Sequence, residues 1–234
     1  MSNIRKHSGA EQGDVDAFLA KLRETPPPAV TSGARGRLVL AMDATMSRQP
    51  SWDRAQAIQG DMFREAGRVG GLDVQLVYFR GFDECRASKW TGDTQSLARL
   101  MGGIRCMGGK TQILRVLKHL KAEAAAGRIN ACVYVGDALE EFIDALAQAA
   151  GEVGLLGIPV FMFQEGHDGA AEQGFREIAR LTRGAYFRFG EDSGQVLREL
   201  LSAVAVYAAG GMKALSSHSA ERGGAAALLL QQMK

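Results

Sequence analysis

Two aspartates and three hydroxyl side chains stand where strands end or helices begin. The apolar run Leu38-Val39-Leu40-Ala41-Met42 ends in Asp43, and Thr45 and Ser47 follow at alternate positions. Gly108-Gly109-Lys110-Thr111 brings a third hydroxyl to the opening of an amphipathic segment, and Val133-Tyr134-Val135-Gly136 ends in a second aspartate, Asp137. Together these five residues offer a hard, all-oxygen ligand set. Such donors suit Mg²⁺, which takes octahedral oxygen coordination and keeps some of its water, and Mn²⁺ accepts the same ligands.

Taken singly, each residue also has an ordinary reading. Thr111 could cap the helix it precedes. Asp137 could do the same, with Glu140 three positions later in a capping-box spacing. Ser47 suits a turn, and Asp43 suits a strand end whose carboxylate binds nearby backbone N–H groups. What favours the joint reading is topology: in a doubly wound sheet, ligands bind beyond the carboxyl ends of the strands where strand order reverses. If the strands ending at Asp43 and Asp137 are central neighbours, both carboxylates emerge at that crevice. Thr45 and Ser47, two apart in an extended loop, can then face the same way.

The elements that position these residues alternate along the chain. Strands are expected over 37–42, 73–79, 129–135, 158–163 and 185–189, with a more polar edge strand over 84–90. Helices are expected over 52–69 (with Ser51 as N-cap), 111–126, 139–153, around Phe175, Ile178 and Ala179, and over 193–209. Apolar strands alternating with amphipathic helices indicate an α/β fold with a mostly parallel sheet covered on both faces. The short turn at Gly81-Phe82-Asp83 makes the third strand antiparallel, because a parallel return needs a long crossover. Ahead of this domain, residues 13–24 read as a short amphipathic helix and Pro26-Pro27-Pro28 as a stiff linker. The expected division is 1–36 for helix and linker, 37–210 for the domain, and 211–234 for a C-terminal extension. In that extension residues 225–233 read either as a docking helix or as a frayed end.

The motif Asp43-Ala44-Thr45-Met46-Ser47, with Thr111 and Asp137, resembles the metal-ion-dependent adhesion site of von Willebrand factor type A domains, over roughly residues 37–209. The family's first motif is DxSxS; Thr45 replaces the first serine and keeps its hydroxyl. The family's Asp-Gly in the third loop is Asp137-Ala138 here. The resemblance implies a doubly wound six-stranded sheet of order 3-2-1-4-5-6. It also implies hydroxyl coordination by Thr45, Ser47 and Thr111, with Asp43 and Asp137 acting largely through bound water. An ion so held keeps an open position for a carboxylate of a protein partner, so the chain is expected to bind proteins and not to be an enzyme. Members that work inside cells often act with chaperones or AAA-type ATPases, which is the partner class the resemblance implies. Trp52, Arg80, Glu140 and His167 are the candidates for contacting that partner, since aromatics and Arg make good interface anchors. For Trp52, packing against the sheet is the stronger reading. The Glu165-Gly166-His167-Asp168 stretch is by default a polar connection.

Other function classes fit less well. A haloacid-dehalogenase-like phosphohydrolase also ends its first strand in aspartate, but needs DxD, and Thr45 cannot shuttle a proton at neutral pH. A P-loop requires G-x-x-x-x-G-K-[ST]; the residue five positions before Gly109 is Ile104. A metal-free interaction scaffold on the same fold is the remaining alternative. With 28 Lys and Arg against 26 Asp and Glu, the chain lacks the basic face of a nucleic-acid binder. No uninterrupted apolar run approaches a membrane span. The three cysteines, Cys85, Cys106 and Cys132, are odd in number and lack paired spacing, so they read as reduced thiols. With no apolar segment near Met1 to serve as a secretory signal, a cytoplasmic protein is expected.

Overall fold

The computed structural model describes residues 35–190 and 194–233. The expected helix over 13–24 and the proline linker lie outside them. The order of elements is β1 Gly36–Asp43, α1 Gln49–Gly67, β2 Leu72–Arg80, β3 Glu84–Ala87, α2 Thr94–Gly102 and α3 Ile113–Ala126. Then come β4 Ala131–Gly136, α4 Ile143–Leu155, β5 Val160–Glu165, α5 Gly169–Thr182, β6 Tyr186–Phe189, α6 Gly194–Arg222 and α7 Gly224–Gln232. The six strands form one sheet of order β3-β2-β1-β4-β5-β6. All pairings are parallel except β2 with β3, where Phe79 faces Cys85 and Arg80 faces Glu84.

The central strands read as continuous apolar runs because both faces are covered. Leu38, Leu40 and Met42 of β1 point into a core shared with α1, α2, α6 and α7. The alternate residues Val39 and Ala41 point into a second core shared with α3, α4 and α5. Phe79, Tyr134 and Phe175 form an aromatic stack in that second core. Burial of this kind stabilises by about 25 cal/mol per Å² of apolar surface and is the main force holding the layers together.

Several boundaries depart from the sequence reading, each for a local reason. Helix α1 begins at Gln49, so Ser51 lies inside it and is not its cap. Helix α2 has no counterpart among the elements read from sequence; Asp93 caps it by accepting from Ser96 N (2.8 Å), and Leu97 and Met101 bury one face. Strand β3 stops at Ala87, short of Trp90, because the Ser88 hydroxyl accepts from Leu76 N (3.0 Å) while the Ser88 carbonyl accepts from Gln75 Nε2. Trp90 turns instead to α3, donating to Glu123 Oε1 (2.9 Å) under the Arg37 guanidinium.

The chain after Gly210 is built into the domain. Helix α6 continues to Arg222 through a kink at Gly211, whose φ of 69° is open to glycine. Leu215, Ala225, Ala226 and Leu229 then join the first core. Gln232 of α7 reaches the outer strand, its amide bonding both Tyr186 N and Tyr186 O (2.8 and 2.9 Å). A strand edge is thereby covered by a side chain that mimics a neighbouring backbone. Of the two readings for residues 225–233, the segment is helical over Gly224–Gln232 and packs on this domain's own core. Helix α6 is long and apolar enough by composition to cross a membrane (mean hydropathy 1.2), although half of its apolar stretch is buried within this domain. None of the three cysteines is in a disulfide, and Cys106 and Cys132 are buried.

Candidate metal centre

The site begins where β1 runs out. Asp43 is buried, and its Oδ1 accepts the backbone N–H of Thr45 at 2.7 Å, a local aspartate turn that redirects the chain. The loop is pinned on both sides: Ala44 N donates to Phe79 O, and Met107 N donates to Ala44 O, each at 2.9 Å. Thr45 is extended, but residues Met46–Arg48 form a single 3₁₀ turn that leads into α1. That turn, not an extended loop, brings the two hydroxyls together, with Thr45 Oγ1 and Ser47 Oγ 3.4 Å apart. Ser47 Oγ in turn donates to Asp137 Oδ2 at 2.9 Å.

Asp137 directly follows β4, the parallel neighbour of β1, in which Val135 lies opposite Met42. A chain of contacts therefore runs from Asp43 through Thr45 and Ser47 to Asp137 across the crevice at the reversal of strand order. Thr111 is bound to Glu140, on the loop that leaves Asp137. Its N–H donates to Glu140 Oε2 and its Oγ1 accepts from Glu140 N, both at 3.0 Å. Thr111 is buried and does not cap α3, which starts two residues later. The α3 N-terminus is held from the neighbouring loop: Glu141 accepts from Ile113 N (2.6 Å) and Leu114 N (2.9 Å). Burial pushes the Glu141 carboxyl above its ordinary range, and those two N–H groups oppose the rise.

These bonds also correct the expected α4. Residues 139–142 form a loop that clips the Thr111 segment in place, so α4 starts at Ile143 and the Asp137–Glu140 capping box does not form. On the other side, Gly109 lies against the β2–β3 turn so closely that a Cβ would overlap the Gly81 carbonyl oxygen. Lys110 N donates to that oxygen at 3.0 Å, and the Gln112 amide reaches the carbonyls of Arg80, Gly81 and Glu84. Glu141 and Gln112 position Thr111, and sequence reasoning missed both. A carboxylate capping a helix from another loop has no signature in local spacing.

The donor set and its spacing fit a small divalent ion. Adjacent ligands of octahedral Mg²⁺, at about 2.0–2.1 Å from the metal, lie roughly 3 Å from each other. The 3.4 Å between the Thr45 and Ser47 hydroxyls is close to that edge, and the 2.9 Å Ser47–Asp137 bond sets a carboxylate directly behind one of them. Among the described residues no group of three or more His, Cys, Asp or Glu could hold a metal ion, so a binding site here depends on hydroxyls.

The four residues considered for partner contact fare differently. Trp52 is buried and donates from Nε1 to Met101 O (3.1 Å), which removes it from any partner surface. Arg80 is engaged with Glu84 and with the Arg105 carbonyl, holding the β2–β3 turn to the loop after α2; its guanidinium keeps the Glu84 carboxyl below the usual range. Glu140 and His167 are exposed. In the connection after β5, Asp168 caps α5 by accepting from Ala171 N (2.6 Å), and Glu165 pairs with Arg54 (2.8 Å).

No protein-family model matches the chain, and no curated protein matches its sequence. Solved structures do. A von Willebrand factor type A protein from Catenulispora acidiphila superposes with a TM-score of 0.63 at 16% identity, over 76% of this chain and 43% of that one. Proximal thread matrix protein 1 from the mussel byssus, with its MIDAS motif (metal-ion-dependent adhesion site) occupied by zinc, gives 0.60 at 11% identity over 76% and 47%. An aerotolerance-related membrane protein from Bacteroides fragilis, carrying multiple mutations to serine, gives 0.57 at 16% identity over 73% and 98%. This chain thus spans less than half of the first two proteins and nearly all of the third. Sheet order, the single antiparallel edge and these likenesses agree: the chain has the von Willebrand factor type A fold.

Proposed function

We propose that this protein is a divalent-metal-dependent protein-binding domain that takes Mg²⁺, with Mn²⁺ as a substitute. Thr45, Ser47 and Thr111 hold the ion through their hydroxyls, and Asp43 and Asp137 hold it largely through water. The observation that carries this reading is the contact chain from Asp43 through Thr45 and Ser47 to Asp137, in which the two hydroxyls lie 3.4 Å apart and one of them donates to a carboxylate. A zinc-occupied motif in a structural neighbour of the same fold supports it. When bound, the ion supplies a Lewis-acidic position that accepts a carboxylate. Its positive charge is retained because three of the five donors are neutral, so an Asp or Glu of a partner completes the coordination. The role is recognition and not turnover: Thr45 stands where phosphoryl chemistry would need a second carboxylate. A chaperone or AAA-type ATPase assembly is the partner class in this reading.

The test of the open position is the water-proton relaxivity of the Mn²⁺-loaded protein during acetate titration. Relaxivity should fall saturably as the carboxylate displaces bound water, with the fall absent in Asp43→Ala. Relaxivity unaffected by acetate would leave the ion closed to partners and defeat the proposal.

A further inference from the structure

The loops that build the crevice also carry large apolar side chains turned outward. Met46 lies between Thr45 and Ser47 and is 67% exposed; Phe82, at the β2–β3 turn, is 72% exposed. Met107, whose N–H binds the Ala44 carbonyl, is 46% exposed, and Phe142, next to Glu141, is 89% exposed. Phe142 and Phe82 are the two most exposed large hydrophobic residues among those described, followed by Met46. Leaving aromatic rings in water forgoes the stabilisation their burial would bring, and clustered exposure of this kind marks an interaction surface. Hydrogen bonds hold the loops of three of them at the crevice: Met107 through its N–H to Ala44 O, Phe82 through the neighbouring Lys110–Gly81 bond, and Phe142 through the Glu141 carboxylate bonds to α3. Arg105 and Lys110 on the same loop are exposed and basic.

Resting on the metal-dependent reading above, we propose that this rim selects a partner segment in which one Asp or Glu is flanked on both sides by large apolar residues. The acidic side chain suits a cationic centre reinforced by Arg105 and Lys110. The flanking residues suit the exposed Met46, Phe82, Met107 and Phe142. Methionine adds adaptability, since its unbranched thioether fits varied apolar shapes. A purely acidic segment would leave the rim wet, and a purely apolar one would leave the cation without its ligand.

A random-peptide phage library panned on the full chain in Mg²⁺ tests this, alongside Phe82→Ser/Phe142→Ser and Asp43→Ala. Selected sequences should hold an acidic residue between apolar ones, and a synthetic peptide of that sequence should bind the double serine variant about tenfold more weakly. Calorimetric Mg²⁺ binding by that variant should be unchanged, which separates the rim from the metal site. Acidic peptides lacking apolar neighbours, or equal peptide binding by the serine variant, would overturn the rim proposal while leaving the metal reading intact. Selection that persists in chelator and on Asp43→Ala would overturn both, as would failure of the wild type to bind Mg²⁺. Sedimentation showing a dimer that the serine variant abolishes would overturn it in favour of a second copy of this chain.

Discussion

Replacing Glu141 by alanine should weaken both the domain and its metal site, although Glu141 is not a proposed ligand. The carboxylate accepts from Ile113 N at 2.6 Å and Leu114 N at 2.9 Å, at the otherwise uncapped start of α3. Charge-assisted bonds of this type contribute about 1.5 kcal/mol each, and the helix dipole adds several tenths. Against that stands burial, which outweighs those bonds in the charged form and so raises the Glu141 carboxyl. Alanine leaves both N–H groups without their acceptor, at a cost of about 2 kcal/mol or roughly 4–8 °C in Tm for a domain of this size. Glutamine keeps one accepting oxygen and should lose about half as much. Urea denaturation read by circular dichroism measures both, with the slope unchanged if only stability moves.

The pH dependence supplies a second readout. Because the folded-state pKa of Glu141 lies above its ordinary value of 4.5, protonation favours the folded state, and its contribution grows as pH falls through the raised value. The penalty of Glu141→Gln should therefore be larger below pH 4.5 than at neutral pH. A Glu141→Ala protein within about 0.5 kcal/mol of wild type would refute the reasoning that this loop holds α3 and Thr111.

Trp52→Phe should cost about 1–2 kcal/mol in urea denaturation, from a lost Nε1 bond to Met101 O and a small cavity, while leaving Mg²⁺ affinity unchanged; unchanged stability with altered partner binding would return Trp52 to the surface. Gly109→Ala should force the loop off the Gly81 backbone, costing on the order of 2 kcal/mol, and lower Mg²⁺ affinity by moving Thr111; calorimetry with unchanged affinity would contradict that coupling. The Glu123 carboxyl is held low first by the Trp90 Nε1 hydrogen bond and further by Gln75, His119 and Arg37. Its stabilisation is present above its ordinary pKa and is lost as pH falls through the depressed value. Trp90→Phe should accordingly flatten the acid limb of a stability–pH profile, and an unaltered limb would rule out that bond as the cause.

The sheet was legible because its signals are local and redundant. Continuous apolar runs ending in Asp43 and Asp137 mark central parallel strands, and the Gly81 turn is too short for anything but an antiparallel edge. The same economy made Asp43, Thr45, Ser47 and Asp137 readable as a group, since two adjacent strand ends carry them. Where sequence reading failed, partners distant in the chain decide the outcome. The start of α4 is displaced because Glu140 and Glu141 bind Thr111 and α3, residues about thirty positions away. Helix α6 outruns its expected end because Leu215 finds space in the first core, beyond a glycine kink that reads as a stop. Helix α2 carries a local signal in the Asp93 cap and in Leu97 and Met101 one turn apart, but at nine residues it is too short for its periodicity to stand out.

The most direct measurement is calorimetric titration of Mg²⁺ and Mn²⁺ into the full chain, with Asp43→Ala and Thr111→Ala in parallel. Saturable binding of one ion per chain, lost in Asp43→Ala and weakened in Thr111→Ala while both variants keep the wild-type circular dichroism spectrum, is the expected outcome. Absence of saturable binding to the wild type, or binding that survives Asp43→Ala, would mean that these five residues do not form a metal centre.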